Sequence, residues 1–116
     1  MVIEAQADMW DTTDTPAHET NYEPIVAAIA HGAKAFGKPT LMLNGDSHTY
    51  ETGNPLTPGN TYHPGYDVPN FERIVVHGST LPLEWLKLTI DPAAHAPRSD
   101  TAFGPFRWER KIQAQL

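Results

Sequence analysis

The stretch that decides the fold is Thr40–Tyr50, with the sequence TLMLNGDSHTY. Four residues suited to a buried strand run directly into an Asn-Gly pair, and the chain then presents Asp46, Ser47 and His48. In layered α/β proteins, ligands and metals are bound at the rim of the sheet, where strands end. Asp46 and His48 are two residues apart, and both side-chain types bind divalent metals when deprotonated. The pattern therefore predicts a buried strand that ends at a binding rim.

Length and composition indicate one globular domain covering residues 1–116. Hydrophobic residues make up 40% of the chain and charged residues 19%, as in ordinary globular proteins. A chain of 116 residues can form one modest core and is too short for two. Its 11 prolines are about twice the usual share, which predicts long, stiffened loops between few regular elements.

Charge and residue usage argue against several kinds of partner. The net charge is −6, with 14 acidic and 8 basic residues and no dense Lys/Arg cluster, so we expect no nucleic-acid partner. No apolar run reaches the roughly 20 residues of a membrane span, and no signal peptide is visible at the N-terminus. The absence of cysteine excludes disulfides and thiolate chemistry but leaves the compartment open.

The first half of the chain predicts a strand, a helix and a second strand. Val2–Ala7 favours a short strand that ends at Asp8. Asn21–Phe36 predicts a helix, terminated by Gly37, because apolar residues recur at helical spacing. These are Tyr22, Ile25, Val26, Ile29, Ala30, Ala33 and Phe36. A strand-helix-strand order predicts a parallel crossover, so Asp8 and Asp46 should both lie at C-terminal strand ends.

The second half predicts a long loop followed by strands. Glu51–Asn70 contains four prolines and three glycines without a period, which is typical of a functional lid or rim. Phe71–His77 and Leu83–Ile90 predict an antiparallel hairpin joined by a five-residue loop. Phe106–Ile112 predicts a final edge strand or a docked tail. The expected fold class is therefore α/β in the broad sense, a mixed α+β domain.

Several of these segments resemble the C-terminal part of a bacterial calcineurin-like metallophosphoesterase. The resemblance rests on QADMWD, the helix PIVAAIAHGAKAFGKP and NGDSHTY, and it continues through NFERIVVHGST, PLEWLKLTIDP and FGPFRWER. It implies the C-terminal half of an α/β/β/α sandwich. In that family a Gly-His-x-His motif at a strand end reaches a dinuclear metal centre. Here Asp46 replaces the first histidine, His48 matches the second, and Asp8 stands where the preceding strand usually supplies a histidine.

The resemblance also implies a function. His48, Asp46 and Asp8 would bind divalent metal ions such as manganese, iron or zinc, and the complete enzyme would hydrolyse a phosphate ester with metal-activated water. The family's earlier metal motifs have no counterpart in the chain, so the catalytic residues stay unidentified. We expect this chain alone to be weakly active or inactive. Asn44, His77 and Arg73 are weaker candidates for contacting substrate.

Other interpretations of the same residues remain open. Asp8 could begin a turn, a common role for aspartate, and Asp46 could cap the turn that follows it while His48 makes a local hydrogen bond. The chain could be a non-catalytic domain that forms a homodimer or pairs with a separate N-terminal half, because open sheet edges recruit partner strands. It could also be a mononuclear metal hydrolase that uses Asp8, Asp46 and His48 with water as the fourth ligand.

Overall fold

A computed structural model describes residues 1–11, 22–60 and 65–113 of the chain. Within these ranges it contains one helix, α1, and seven strands, β1 to β7, so the domain is α+β as expected. In chain order the elements are β1 (Val2–Ala5), α1 (Glu23–Phe36), β2 (Thr40–Asn44), β3 (Glu51–Gly53), β4 (Phe71–Val75), β5 (Glu84–Ile90), β6 (Ala102–Phe103) and β7 (Phe106–Ile112). No helix in these ranges is long and apolar enough to cross a membrane.

The first sheet is mixed and has the strand order β1-β2-β4-β3. β1 pairs with β2 in parallel, from Val2 opposite Leu41 to Ala5 opposite Asn44, and β4 continues the parallel arrangement on the other side of β2. The predicted parallel crossover is therefore confirmed. Because parallel strands end at the same edge of a sheet, the segments that follow β1, β2 and β4 meet at one rim.

Helix α1 covers one face of the mixed sheet with a narrow apolar stripe. Val26, Ala30 and Ala33 are buried, and they pack in a cluster that includes Met42 and Phe71 of the sheet. Two residues of the predicted stripe, Ile25 and Phe36, are instead 48% and 44% exposed, because they lie outside the cluster that packs against the sheet.

The ends of α1 differ in how far they follow the prediction. The helix ends at Gly37, which has a φ of 72° and donates its N–H to the Ala33 carbonyl oxygen at 3.1 Å. The predicted first residue, Asn21, lies outside the described residues. Within them the helix begins at Glu23, and Tyr22 precedes it without a side-chain capping bond.

The second sheet is antiparallel, with the order β5-β7-β6, and it packs on the other face of the mixed sheet. Leu41 and Ile74 from the mixed sheet form a buried cluster with Phe106 and Trp108 from β7. The described elements therefore make three layers, helix, mixed sheet and antiparallel sheet. The second helical layer implied by the metallophosphoesterase resemblance is not formed by the part of the chain that the structure describes.

The predicted hairpin between Phe71–His77 and Leu83–Ile90 is wrong. β4 lies inside the mixed sheet, where β2 and β3 occupy both of its edges and every residue from Phe71 to Val75 is buried. β5 pairs instead with β7 along seven residues, from Glu84 opposite Ile112 to Ile90 opposite Phe106. Proximity in sequence favoured the hairpin, but β4 has no free edge to offer.

Two further elements differ from the prediction. Phe106–Ile112 is a strand, but it lies at the centre of its sheet and not at the edge, because the short β6 pairs with it from the other side. The loop predicted over Glu51–Asn70 begins with β3, which pairs antiparallel with β4. At three residues β3 is too short to produce a recognisable alternation of polar and apolar residues.

Candidate functional site at the C-terminal rim of the mixed sheet

A buried ion pair lies where the parallel strands of the mixed sheet end. Asp8 follows β1 and is 2% exposed, and Arg73 of β4 is 5% exposed. Arg73 Nη1 donates to Asp8 Oδ1 at 2.5 Å, and Arg73 Nη2 lies 3.5 Å from Oε1 of Glu51 in β3. Buried charges need such partners because desolvation strongly disfavours an isolated ion. Through Asp8, Arg73 and Glu51, these contacts therefore connect the segment after β1 with β4 and β3.

Further contacts connect this ion pair to the loop after β2. Ser47 Oγ donates to Asp8 Oδ2 at 2.8 Å, and the backbone N–H of Trp10 donates to Asp8 Oδ1 at 3.3 Å. The guanidinium carbon of Arg73 lies 5.3 Å from the centroid of the Trp10 ring, within the range of a cation–π contact. Asp8 thus holds the centre of the loop that contains Asp46 and His48.

An open pocket of about 440 Å³ lies over the ion pair. Its walls come from the segment after β1, the segment from the β2 loop to the end of β3, and two more distant residues. They are Asp8, Trp10, Asp11, Ser47, Thr49, Glu51, Thr52, Gly53, Asn54, Pro55, Asn60 and Arg73. Three of these side chains are carboxylates and one is a guanidinium, so the described part of the walls has a formal charge of −2. These walls are polar and acidic, and the guanidinium among them is already bonded to a carboxylate.

Asp46 and His48 lie beside this pocket but do not line it. Both side chains are exposed, and neither makes a hydrogen bond or an ion pair with any residue in the described ranges. Their backbones adopt left-handed conformations, with φ of 69° at Asp46 and 65° at His48. The His48 carbonyl oxygen accepts a hydrogen bond from the N–H of Gly78 at 3.2 Å. The two side chains are therefore held at the surface in an uncommon backbone conformation.

The predicted metal ligands do not form one complete cluster. Among residues 1–11, 22–60 and 65–113, no group of three or more His, Cys, Asp or Glu side chains is arranged to hold a metal ion. Asp8 bonds to Arg73 and Ser47, whereas Asp46 and His48 are exposed and take no part in that network. Metal binding by these three residues stays a prediction. Of the three, Asp46 and His48 have side chains that are not bonded to another described residue.

The three predicted substrate residues lie in different surroundings. Arg73 is in the pocket. Asn44 is 1% exposed, and its Nδ2 donates to the carbonyl oxygens of Ala7 at 2.8 Å and Ala5 at 3.4 Å, which ties the end of β1 to β2. His77 lies in the turn after β4, where its Nε2 is 3.0 Å from the Thr80 carbonyl oxygen. Only Arg73 is therefore placed to meet a ligand in this pocket.

Sequence reasoning did not identify Trp10, Ser47 and Glu51 as members of the site. Trp10 lies two residues after Asp8, and Ser47 lies between Asp46 and His48. Their closeness to predicted ligands was the one feature of the sequence that could have indicated them. Glu51 carried no signal, because its role depends on β3 pairing with β4 and facing Arg73. Arg73 was predicted only as a weak substrate contact. Its role as a buried partner of Asp8 follows from the burial of every residue in β4, which is a property of the tertiary structure.

Comparison with known proteins identifies no relative: no family model, curated protein or solved structure gives a significant match to this chain.

Proposed function

We propose that this chain contributes Asp46 and His48 as metal ligands to a metal-dependent phosphoesterase site. The observation that carries the proposal is the backbone of the loop, in which both residues are left-handed, with φ of 69° and 65°, although neither is glycine. Such conformations cost on the order of 1–3 kcal/mol each and concentrate at functional sites. Neither side chain repays that cost with a hydrogen bond to a described residue.

Ser47 between them explains how the two side chains are presented. Its hydroxyl is bonded to Asp8, which Arg73 holds in place from β4. Anchoring the middle residue leaves the carboxylate of Asp46 and the imidazole of His48 in solvent on either side. In this proposal Asp8 and Arg73 are positioning residues, and they reach the metal only through the loop.

The side chains of Asp46 and His48 supply part of the ligand set that a metal site needs. Carboxylate oxygen and imidazole nitrogen are suitable ligands for zinc, manganese or iron, but a catalytic site needs at least three protein ligands. The described residues supply two, so the remaining ligands must come from outside them. A bound metal would supply a nucleophilic water and polarise a phosphate ester, which is the substrate class the resemblance implies. The chain by itself should hydrolyse phosphate esters slowly or not at all.

Metal titration tests the proposal directly. Isothermal titration of the purified chain with zinc or manganese should show weak binding that is at least about tenfold weaker in His48→Gln, because one of two ligands is lost. His95→Gln is the matched control, since His95 is also exposed but lies in another loop. Equal losses in both variants would contradict the proposal. So would hydrolysis of p-nitrophenyl phosphate at a rate that His48→Gln leaves unchanged.

A second candidate is a non-catalytic domain that associates through its sheet edges, as a homodimer or with a separate chain. Two observations favour it. β1 and β5 each pair with only one neighbour among the described strands. Near the start of β5, the exposed fractions of Leu81, Leu83 and Trp85 are 72%, 50% and 58%. Free edges with apolar side chains recruit partner strands. Light scattering would test self-association, and a monomer at every concentration would count against the homodimer.

A further inference from the structure

Two residues that line the pocket over the Asp8–Arg73 ion pair carry buried hydrogen-bond donors for which the described residues offer no acceptor. Arg73 Nε and Trp10 Nε1 are both buried, and neither has a partner in the described part of the chain. Arg73 as a whole residue is 5% exposed and Trp10 is 6% exposed, and both line the pocket. Buried donors without acceptors are rare in native proteins and call for an explanation such as a water or a ligand. An oxygen atom bound at the back of the pocket would satisfy them.

The charge of the walls restricts what that oxygen can belong to. Among the described wall residues, Asp8, Asp11 and Glu51 oppose one cation, Arg73, which already bonds to Asp8 and lies 3.5 Å from Glu51. A phosphate or carboxylate would therefore meet described walls with a formal charge of −2 and no uncommitted Lys or Arg side chain. Coulomb repulsion at such short range, in a partly buried site, disfavours an anion.

A cation fits no better, for a different reason. An ammonium group only donates hydrogen bonds, so it would leave Arg73 Nε and Trp10 Nε1 without acceptors. A hydroxyl group both accepts and donates. It can accept from these two donors while it donates to the carboxylate of Glu51, a wall residue whose side chain is 62% exposed. The hydroxyls of Thr49 and Thr52 in the walls add partners of the same kind.

We propose that this pocket binds a small neutral polyol, of the size of a monosaccharide or a cyclitol. The volume of about 440 Å³ lies within the range of small-molecule sites and suits one sugar ring. The unmet donors are shielded in this structure, so binding would require a small movement of the Trp10 side chain. The proposal does not depend on Asp46, His48 or a metal, and it holds whether or not the chain takes part in phosphoester hydrolysis.

The test is a binding panel in the presence of a metal chelator, which separates it from the metal-binding experiment. D-glucose, myo-inositol and glycerol are titrated into the intact chain and followed by saturation-transfer NMR and by tryptophan fluorescence. We expect saturable binding of at least one of the two cyclic compounds in the millimolar range. Glucose 6-phosphate and glucosamine should each bind at least about tenfold more weakly than glucose, for the reasons of charge and donor balance given above.

Substitutions then locate the binding. Glu51→Gln removes a charged acceptor and should weaken binding roughly tenfold, whereas Glu109→Gln on β7 should not change it. Both glutamates are largely exposed, at 62% and 55% of the side chain, so neither change should unfold the protein. Thr49→Val is a second wall variant, with a smaller expected loss.

Two outcomes would overturn the proposal. One is the absence of saturable binding of both cyclic polyols to chain that circular dichroism shows to be folded. The other is tighter binding of glucose 6-phosphate than of glucose in chelator, because that result would mean that the pocket recognises anions.

Discussion

Removing either partner of the buried Asp8–Arg73 ion pair should destabilise the domain more than the loss of a contact alone would. The side chains are 3% and 6% exposed, and their closest atoms are 2.5 Å apart. In Asp8→Ala the guanidinium stays buried and loses its closest counter-ion, while Glu51 Oε1 remains 3.5 Å from Nη2. In Arg73→Met the carboxylate of Asp8 stays buried and loses the guanidinium, while it still accepts from Ser47 Oγ and the Trp10 N–H. Each single substitution therefore leaves a buried charge without its closest counter-ion.

The magnitudes follow from the burial and from these remaining contacts. Breaking one side of a buried ion pair costs about 3–5 kcal/mol, and the residual partners place both variants near 3 kcal/mol. The double variant Asp8→Ala with Arg73→Met leaves no buried charge and should cost only about 2–3 kcal/mol, chiefly for lost packing. The sum of the single costs is then about 6 kcal/mol, which implies a coupling energy of about 3 kcal/mol.

Urea unfolding followed by far-ultraviolet circular dichroism measures these quantities. At an m-value of about 1.5 kcal/mol per molar, a loss of 3 kcal/mol lowers the urea midpoint by roughly 2 M. Lys111→Met is the matched control, because Lys111 pairs with Glu109 at 2.8 Å on the surface, with side chains 43% and 55% exposed. Solvent and salt screen that exposed pair, so its loss should change the urea midpoint far less than the loss of the buried pair.

Additive single costs would refute this reasoning. If the double variant lost the sum of the two single losses to within about 0.5 kcal/mol, the two residues would not act as a pair. A single-variant loss as small as that of Lys111→Met would likewise mean that the ion pair is solvated.

Three further predictions concern other parts of the fold. Burial raises the pKa of Glu72 above its ordinary value of 4.5. The protonated carboxyl of Glu72 therefore contributes its full stabilisation below pH 4.5, and this stabilisation is lost as the pH rises through the raised pKa. Glu72→Gln should flatten the dependence of Tm on pH above 4.5. The hydrogen bond that the Tyr66 hydroxyl donates to Glu23 at 2.6 Å raises the pKa of Tyr66 to about 12. Spectrophotometric titration should therefore show an ionisation step near that pH, and Tyr66→Phe should remove the step. Gly104→Ala should cost about 2–3 kcal/mol in urea unfolding, because φ is 57° and the new Cβ would lie 2.8 Å from Pro39 Cγ.

Matched controls make these outcomes decisive. Gly32→Ala on α1 meets no atom within 4 Å and should stabilise the helix by up to about 1 kcal/mol, in contrast to Gly104→Ala. A neutral Gly104→Ala would mean that the Pro39 contact is loose. An unchanged pH profile in Glu72→Gln would mean that this carboxyl is solvated, and a titration of Tyr66→Phe identical to that of the parent would reassign the late tyrosine.

Local sequence patterns correctly predicted the elements that pair or pack with segments close to them in the sequence. β1, α1 and β2 follow from strand and helix periods and from the stop at Gly37, and the parallel crossover follows from their order. The pairing of β4 and β5 could not be predicted in this way. Their short separation favours a hairpin, whereas the observed partners, β2 with β4 and β5 with β7, come from distant segments and depend on which surfaces remain uncovered.

The candidate site also has one part that the sequence predicted and another that depends on contacts between distant segments. The sequence by itself determined that a strand ends at Asn44 and that Asp46 and His48 follow it, because a buried apolar run stops at an Asn-Gly pair. It also determined that Asp8 ends a neighbouring strand. Only the tertiary structure decided what these residues do there. Asp8 faces Arg73 across the sheet and is neutralised by it, whereas Asp46 and His48 remain in solvent. The physical reason is that a buried charge must find its partner in three dimensions, and this partner lies 65 residues away.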